Sequence, residues 1–172
     1  MEEWKMFKTI DDFLELWRNE ADFTRKIFDG LTDESLKQQV TEEHRNLGRL
    51  AWHLTITLEE MMGHAGLEFD RVKPDEPIPQ SAAEITEAYR KSNEAMIAAL
   101  KEQWNDNTLT EEREMYGDKW TVSEVLWTLV SHQIHHRGQM TVLMRQAGLK
   151  VPGLYGPAKE DWAEFGTEAP NV

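Results

Sequence analysis

A chain of 172 residues, 40% apolar and 30% charged, favours one domain around a single core. Its net charge of −13, with 32 acids against 19 bases and no basic run, argues against nucleic acids and anionic membranes, which are bound through Lys and Arg. There is no apolar run near the roughly 20 residues that span a bilayer, no secretory signal pattern and no cysteine to form a disulfide or thiolate ligand, which together point to the cytoplasm.

Apolar residues recur with helical period and β-type alternation is scarce, which predicts an all-α fold. A first helix is predicted over 9–29, with Phe13, Leu14, Trp17, Ala21, Thr24 and Phe28 on one side. Thr9 and Asp12 can cap its start and Gly30 its end. Residues 32–39 add a short helical turn. A second helix is predicted over 46–64, with Leu47, Leu50, Leu54, Leu58 and Met61 as its stripe. The proline-containing segment 66–80 is too long for a tight turn and reads as a crossover loop. Ser81 and Glu84 form a capping-box pattern for a third helix to Trp104, with Ile85, Ala88, Tyr89, Met96 and Leu100 inward. Residues 105–120 read as polar and irregular. Thr121 and Glu124 repeat the capping pattern for a fourth helix to Ala147, which Gly148 can stop. The tail, 148–172, carries Tyr155, Trp162 and Phe165 and is expected to be ordered and packed on the bundle. A faint echo between LGRLAWHL (47–54) and VSEVLWTL (122–129) aligns Trp52 with Trp127, either by duplication or by similar packing.

The chemistry concentrates in SHQIHHRGQM, residues 131–140. Positions four apart lie on one helix face, about 6 Å along the axis, so His132 and His136 can reach a common point beside it. Imidazole is a favoured ligand for zinc, nickel, copper and iron. Val122, Val125, Leu129, Met140 and Leu143 define the inward stripe, with His136 near its middle, His132 beside it and His135 at its margin. In a chain with six histidines that spacing is weak by itself, and a core histidine bonded to a carbonyl fits it too. The pair His132 and His135 also remains open, though it fits the stripe less well. His53, inward on the second helix next to Leu54, is the best third ligand. His64 lies about 16 Å further along that helix. His44 precedes the helix and reads as a surface or cap residue.

The segment NLGRLAWHL (46–54), followed some eighty residues later by SHQIHHRGQM and by the tail VPGLYGPAKEDW (151–162), resembles the DinB/YfiT-like family of metal-dependent proteins. The resemblance spans nearly the whole chain. It implies a four-helix bundle with a crossover between helices 2 and 3, often assembled as a homodimer. It also implies one divalent metal ion, nickel or zinc before manganese or iron, held by His53, His132 and His136. Some relatives of the family act on low-molecular-weight thiols. The function expected here is activation of a small thiol for transfer to an electrophile. The alternatives are a metal-dependent hydrolase and a non-catalytic, metal-stabilised binding or sensor protein. Among softer candidates, Glu60 can meet a substrate and Gln139 can orient a ligand histidine. Arg137, read as pointing away from the stripe toward the surface or a neighbouring element, pairs with an acid or binds an anionic substrate. Tyr155 and Trp162 either close over the site or anchor the tail.

Overall fold

The computed structural model describes residues 6–70 and 76–171. Its frame is four helices: α1 (Ile10–Asp29), α2 (Leu47–His64), α3 (Ala82–Gln103) and α4 (Val122–Gln146). The helices α1 and α2 each pack against both α3 and α4, so the bundle is ordered α1, α3, α2, α4 around its core. This order is non-sequential: the α1–α2 and α3–α4 connections join helices across the bundle, and the long α2–α3 connection joins neighbours. Part of it, residues 71–75, lies outside the described residues.

The predicted stripes form the core. Phe13, Trp17, Leu47, Leu54, Leu58, Ile85, Met96, Val125 and Leu129 are fully buried. The Thr9–Asp12 and Thr121–Glu124 capping boxes are both formed. Gly30 ends α1, but in a right-handed conformation; a Cβ there would stand 3.0 Å from the Met144 side chain, so what it supplies is close approach to α4. Gly148, at φ +73°, ends α4 in the left-handed region that glycine favours. Trp52 is buried and Trp127 exposed, so the two echoing segments do not occupy equivalent packing positions.

Two expectations are corrected. The Ser81 side chain makes no capping bond. Asp33, from the loop after α1, accepts from the Ala82 backbone N–H at 2.8 Å and takes its place. Asp33→Ala is therefore expected to cost about 1 kcal/mol and Ser81→Ala close to nothing, read as the difference between two urea unfolding curves. Residues 105–120 are regular. A 3-10 helix, Asp106–Thr110, leads into an antiparallel hairpin of β1 (Glu112–Met115) and β2 (Asp118–Thr121). Tyr116 and Gly117 both have positive φ, as a tight two-residue hairpin turn requires. Met115 is buried, and Arg113 Nε donates to the Ala65 carbonyl at 2.8 Å, fastening the hairpin to the end of α2.

The bundle also holds a buried polar network. The Gln133 amide on α4 donates to the Leu54 carbonyl at 3.1 Å and accepts from Thr24 of α1 at 3.0 Å. Arg137 is fully buried, not directed to the surface, and it bonds the Glu20 carboxylate, the Glu20 carbonyl and Thr24. Tyr155 of the tail joins the network: it accepts from Arg137 and donates to Glu20 at 2.6 Å. Burying a guanidinium requires an acid nearby, and Glu20 supplies one from α1.

Candidate metal centre

The inward stripe of α2 carries His53 beside Leu54, and α4 carries His132 and His136 one turn apart. Because α2 packs on α4, the three rings meet. The Nε2 atom of His132 lies 3.1 Å from that of His53 and 3.1 Å from that of His136. One ring nitrogen from each histidine lies within 4.8 Å of the others. Nitrogens bound to one ion at about 2.1 Å are about 3.0 Å apart at right angles and about 3.4 Å apart at tetrahedral angles. Both His132 distances fall between these values. An ion would draw the remaining pair to the same spacing.

Protons give the same picture. The Oε1 atom of Gln139 lies 2.7 Å from His136 Nδ1 and can only accept, so that nitrogen carries the proton. The Nε2 lone pair of His136 is thereby directed at its neighbours. Three Nε2 atoms converging in this way cannot all satisfy one another by hydrogen bonds, since His132 Nε2 either donates once or accepts. A cation resolves the conflict. The Nδ1 atom of His132 is buried and has no partner among the described residues.

Burial keeps the cluster neutral. It pushes His53 down to about 3, helped by Arg45 and the other two rings. It pushes His132 down to about 4, helped by His136 and His135, and holds His136 below the ordinary imidazole value. Neutral imidazoles are the form that binds metal. Each folded pKa is below the unfolded one, so the unfolded chain takes up protons first as pH falls. The stability these histidines confer is full above about pH 6.5 and is lost progressively toward pH 4 and below. In thermal melts of metal-free protein, His53→Phe is expected to reduce the fall in melting temperature between pH 7 and pH 4. Gln139→Ala is expected to weaken metal binding about 10- to 100-fold, the scale for losing the bond that orients a ligand histidine, as read by competition with a chelator.

Glu60 is not in the cluster; it accepts from Tyr116 of the hairpin at 3.1 Å. His135 is exposed, its ring 4.9 Å from that of His136. His44 is exposed and bonds Thr41, and exposed His64 bonds the Glu60 carbonyl. Tyr155 bonds Glu20 and Arg137, which makes it an anchor of the tail. Trp162 is half-buried in that tail. Two residues escaped the sequence reading. Glu20 interrupts the apolar stripe of α1 between Trp17 and Thr24, a signal that was available. Arg45 lies in an irregular loop and gave none. It walls a cleft of about 580 Å³ that also includes Gln139.

No helix among the described residues is long and apolar enough to cross a membrane. The chain matches the sequence model of the DinB family over residues 6–170. It is 49% identical over 167 residues to YrdA, an uncharacterized protein of Bacillus subtilis strain 168, covering 97% of this chain and all of that one. Among solved structures it is similar to a DinB-like protein from Bacillus cereus ATCC 10987, at 47% identity and a TM-score of 0.84, covering 87% of this chain and 100% of that one. The DinB-like YjoA of Bacillus subtilis, at 16% identity and a TM-score of 0.66 over 85% of this chain and 98% of its own, shares the fold.

Proposed function

The chain belongs to the DinB family, and we propose that His53, His132 and His136 hold one divalent ion in an enzyme that transfers a small thiol to an electrophile. The observation that carries this reading is the convergence of three neutral Nε2 atoms from two helices. Imidazoles suit nickel, zinc, copper and iron alike and manganese less well; nickel or zinc is taken first because the family resemblance favours them. Three ligands leave a coordination position open, as catalytic sites require.

A divalent ion at this position supplies Lewis acidity, which makes a coordinated thiol or water more acidic. The chain's own residues do the rest. Gln139 fixes the tautomer of His136, and burial keeps His53 and His132 unprotonated in neutral solution. The chain has no cysteine, so the sulfur comes from the cosubstrate and no protein thiolate competes for the site. With a chloronitrobenzene as electrophile, a carbon–sulfur bond forms, the carbon–chlorine bond breaks, chloride leaves and the thiol proton passes to solvent.

Purified protein loaded with nickel or zinc is mixed with a series of small thiols and this electrophile. A metal-dependent rate with at least one thiol is expected, with none in metal-free protein. Hydrolysis of activated esters with no thiol-dependent rate would refute the transfer reading and favour a hydrolase.

A further inference from the structure

Most of the arginines in this acidic chain are neutralised where they stand. Arg25, Arg90, Arg113, Arg137 and Arg145 each bond an Asp or Glu side chain. Among the described residues Arg45, like Arg18 and Arg49, bonds none, although acids outnumber bases 32 to 19. Its place gives the unpaired guanidinium a use. It walls the cleft of about 580 Å³ between the loop before α2 and the outer turns of α4. Gln139 lines the same cleft while its Oε1 holds His136 Nδ1, so cleft and histidine cluster share a side chain.

The remaining lining describes the ligand. Val40, Leu50 and Val142 make an apolar wall, and Val40 and Val142 stay exposed at 64% and 55%. Glu43 is the acid of the lining and disfavours a ligand with several negative charges, and His44 beside Arg45 completes its polar side. We propose that this cleft is the ligand entrance to the histidine cluster, and that Arg45 binds the carboxylate of a small, singly acidic ligand. Its planar guanidinium matches a carboxylate in two parallel bonds. The apolar wall takes the ligand's short carbon chain, and Gln139, which lines the cleft and bonds His136, connects its far end to the histidines. The assignment deepens the thiol-transfer reading and rests on it only for the chemistry of that far end.

Calorimetric titration of nickel-loaded protein tests it with four probes: mercaptopropionate, mercaptoethanol, butyrate and inorganic phosphate. The wild type is expected to bind mercaptopropionate about fivefold more tightly than mercaptoethanol, the upper end for an exposed ion pair. Arg45→Ala should erase that preference while leaving nickel content and mercaptoethanol binding unchanged. Arg45→Lys should keep part of it, and Glu43→Gln should enlarge it. A preference that survives in Arg45→Ala, or is absent from a wild type that binds either thiol, overturns the assignment. So does tighter binding of inorganic phosphate than of butyrate, because the choice of carboxylate then fails. If neither thiol binds but butyrate binds in an Arg45-dependent way, the cleft assignment stands and the thiol reading falls.

Discussion

Protein carrying His132→Ala is expected to fold and to bind neither nickel nor zinc at stoichiometric concentration. His132 Nε2 is the atom that faces both other histidines at 3.1 Å. Removing it leaves His53 and His136 without the common neighbour that defines the site. Since losing an orienting partner costs about 10- to 100-fold in metal affinity, losing the ligand itself should cost at least about 100-fold. The melting temperature should stay within a few degrees of metal-free wild type. The core of Phe13, Trp17, Leu54, Leu58 and Leu129 is built without the ion. His136→Ala should behave in the same way. Elemental analysis beside a thermal melt decides the matter. Retained metal would remove His132 from the ligand set. Loss of most of the fold would make the ion a structural one.

The second large effect lies away from the cluster. Arg137→Met is expected to destabilise the protein by about 3–5 kcal/mol, because it strands the Glu20 carboxylate where water does not reach. Glu20 and Arg137 side chains are 5% and 1% exposed. In a chain of this size that loss is on the order of 10 °C in melting temperature. Replacing both, as Glu20→Leu with Arg137→Met, should recover most of it, because no charge is then left uncompensated. Urea unfolding of Arg137→Met, Glu20→Leu and the double variant measures the coupling. A single-variant cost below about 1 kcal/mol would place the pair with ordinary surface salt bridges. The Tyr155 hydroxyl bonds both partners, so the tail should become more susceptible to protease in the single variants.

What the sequence makes legible here is whatever local periodicity governs. The four helices, their inward stripes and the Thr9 and Thr121 caps follow from residue spacing, and so does the inward placing of His53, His132 and His136. Features settled by a distant residue were not legible. The Ser81 capping pattern is as good as the Thr121 one, yet Asp33 outcompetes it from another part of the chain. The hairpin was hidden because its turn places Tyr116, not Asn or Asp, in a left-handed conformation, and because its strands are only four residues long. For Arg137 the spacing leaves both the surface and a neighbouring element open, with an acid as partner, and it does not say which. Only the acid on α1 makes its burial tolerable. Arg45 sits in a loop, where no period assigns a direction.

The bond from Gln133 to the Leu54 carbonyl carries a further consequence. These two residues are the immediate chain neighbours of His132 and His53. Sliding α4 along α2 by one turn would move His132 about 5.4 Å, beyond the reach of an ion shared with His53. Smooth apolar ridges resist such a slip only weakly, because one Leu meets another at every step. The Gln133 amide does not: displaced from Leu54, it loses its acceptor in a place with no solvent to replace it. It acts as a detent between the two helices, holding the three histidines in step without touching them. Core side chains on either helix can therefore be exchanged while the histidine cluster keeps its dimensions.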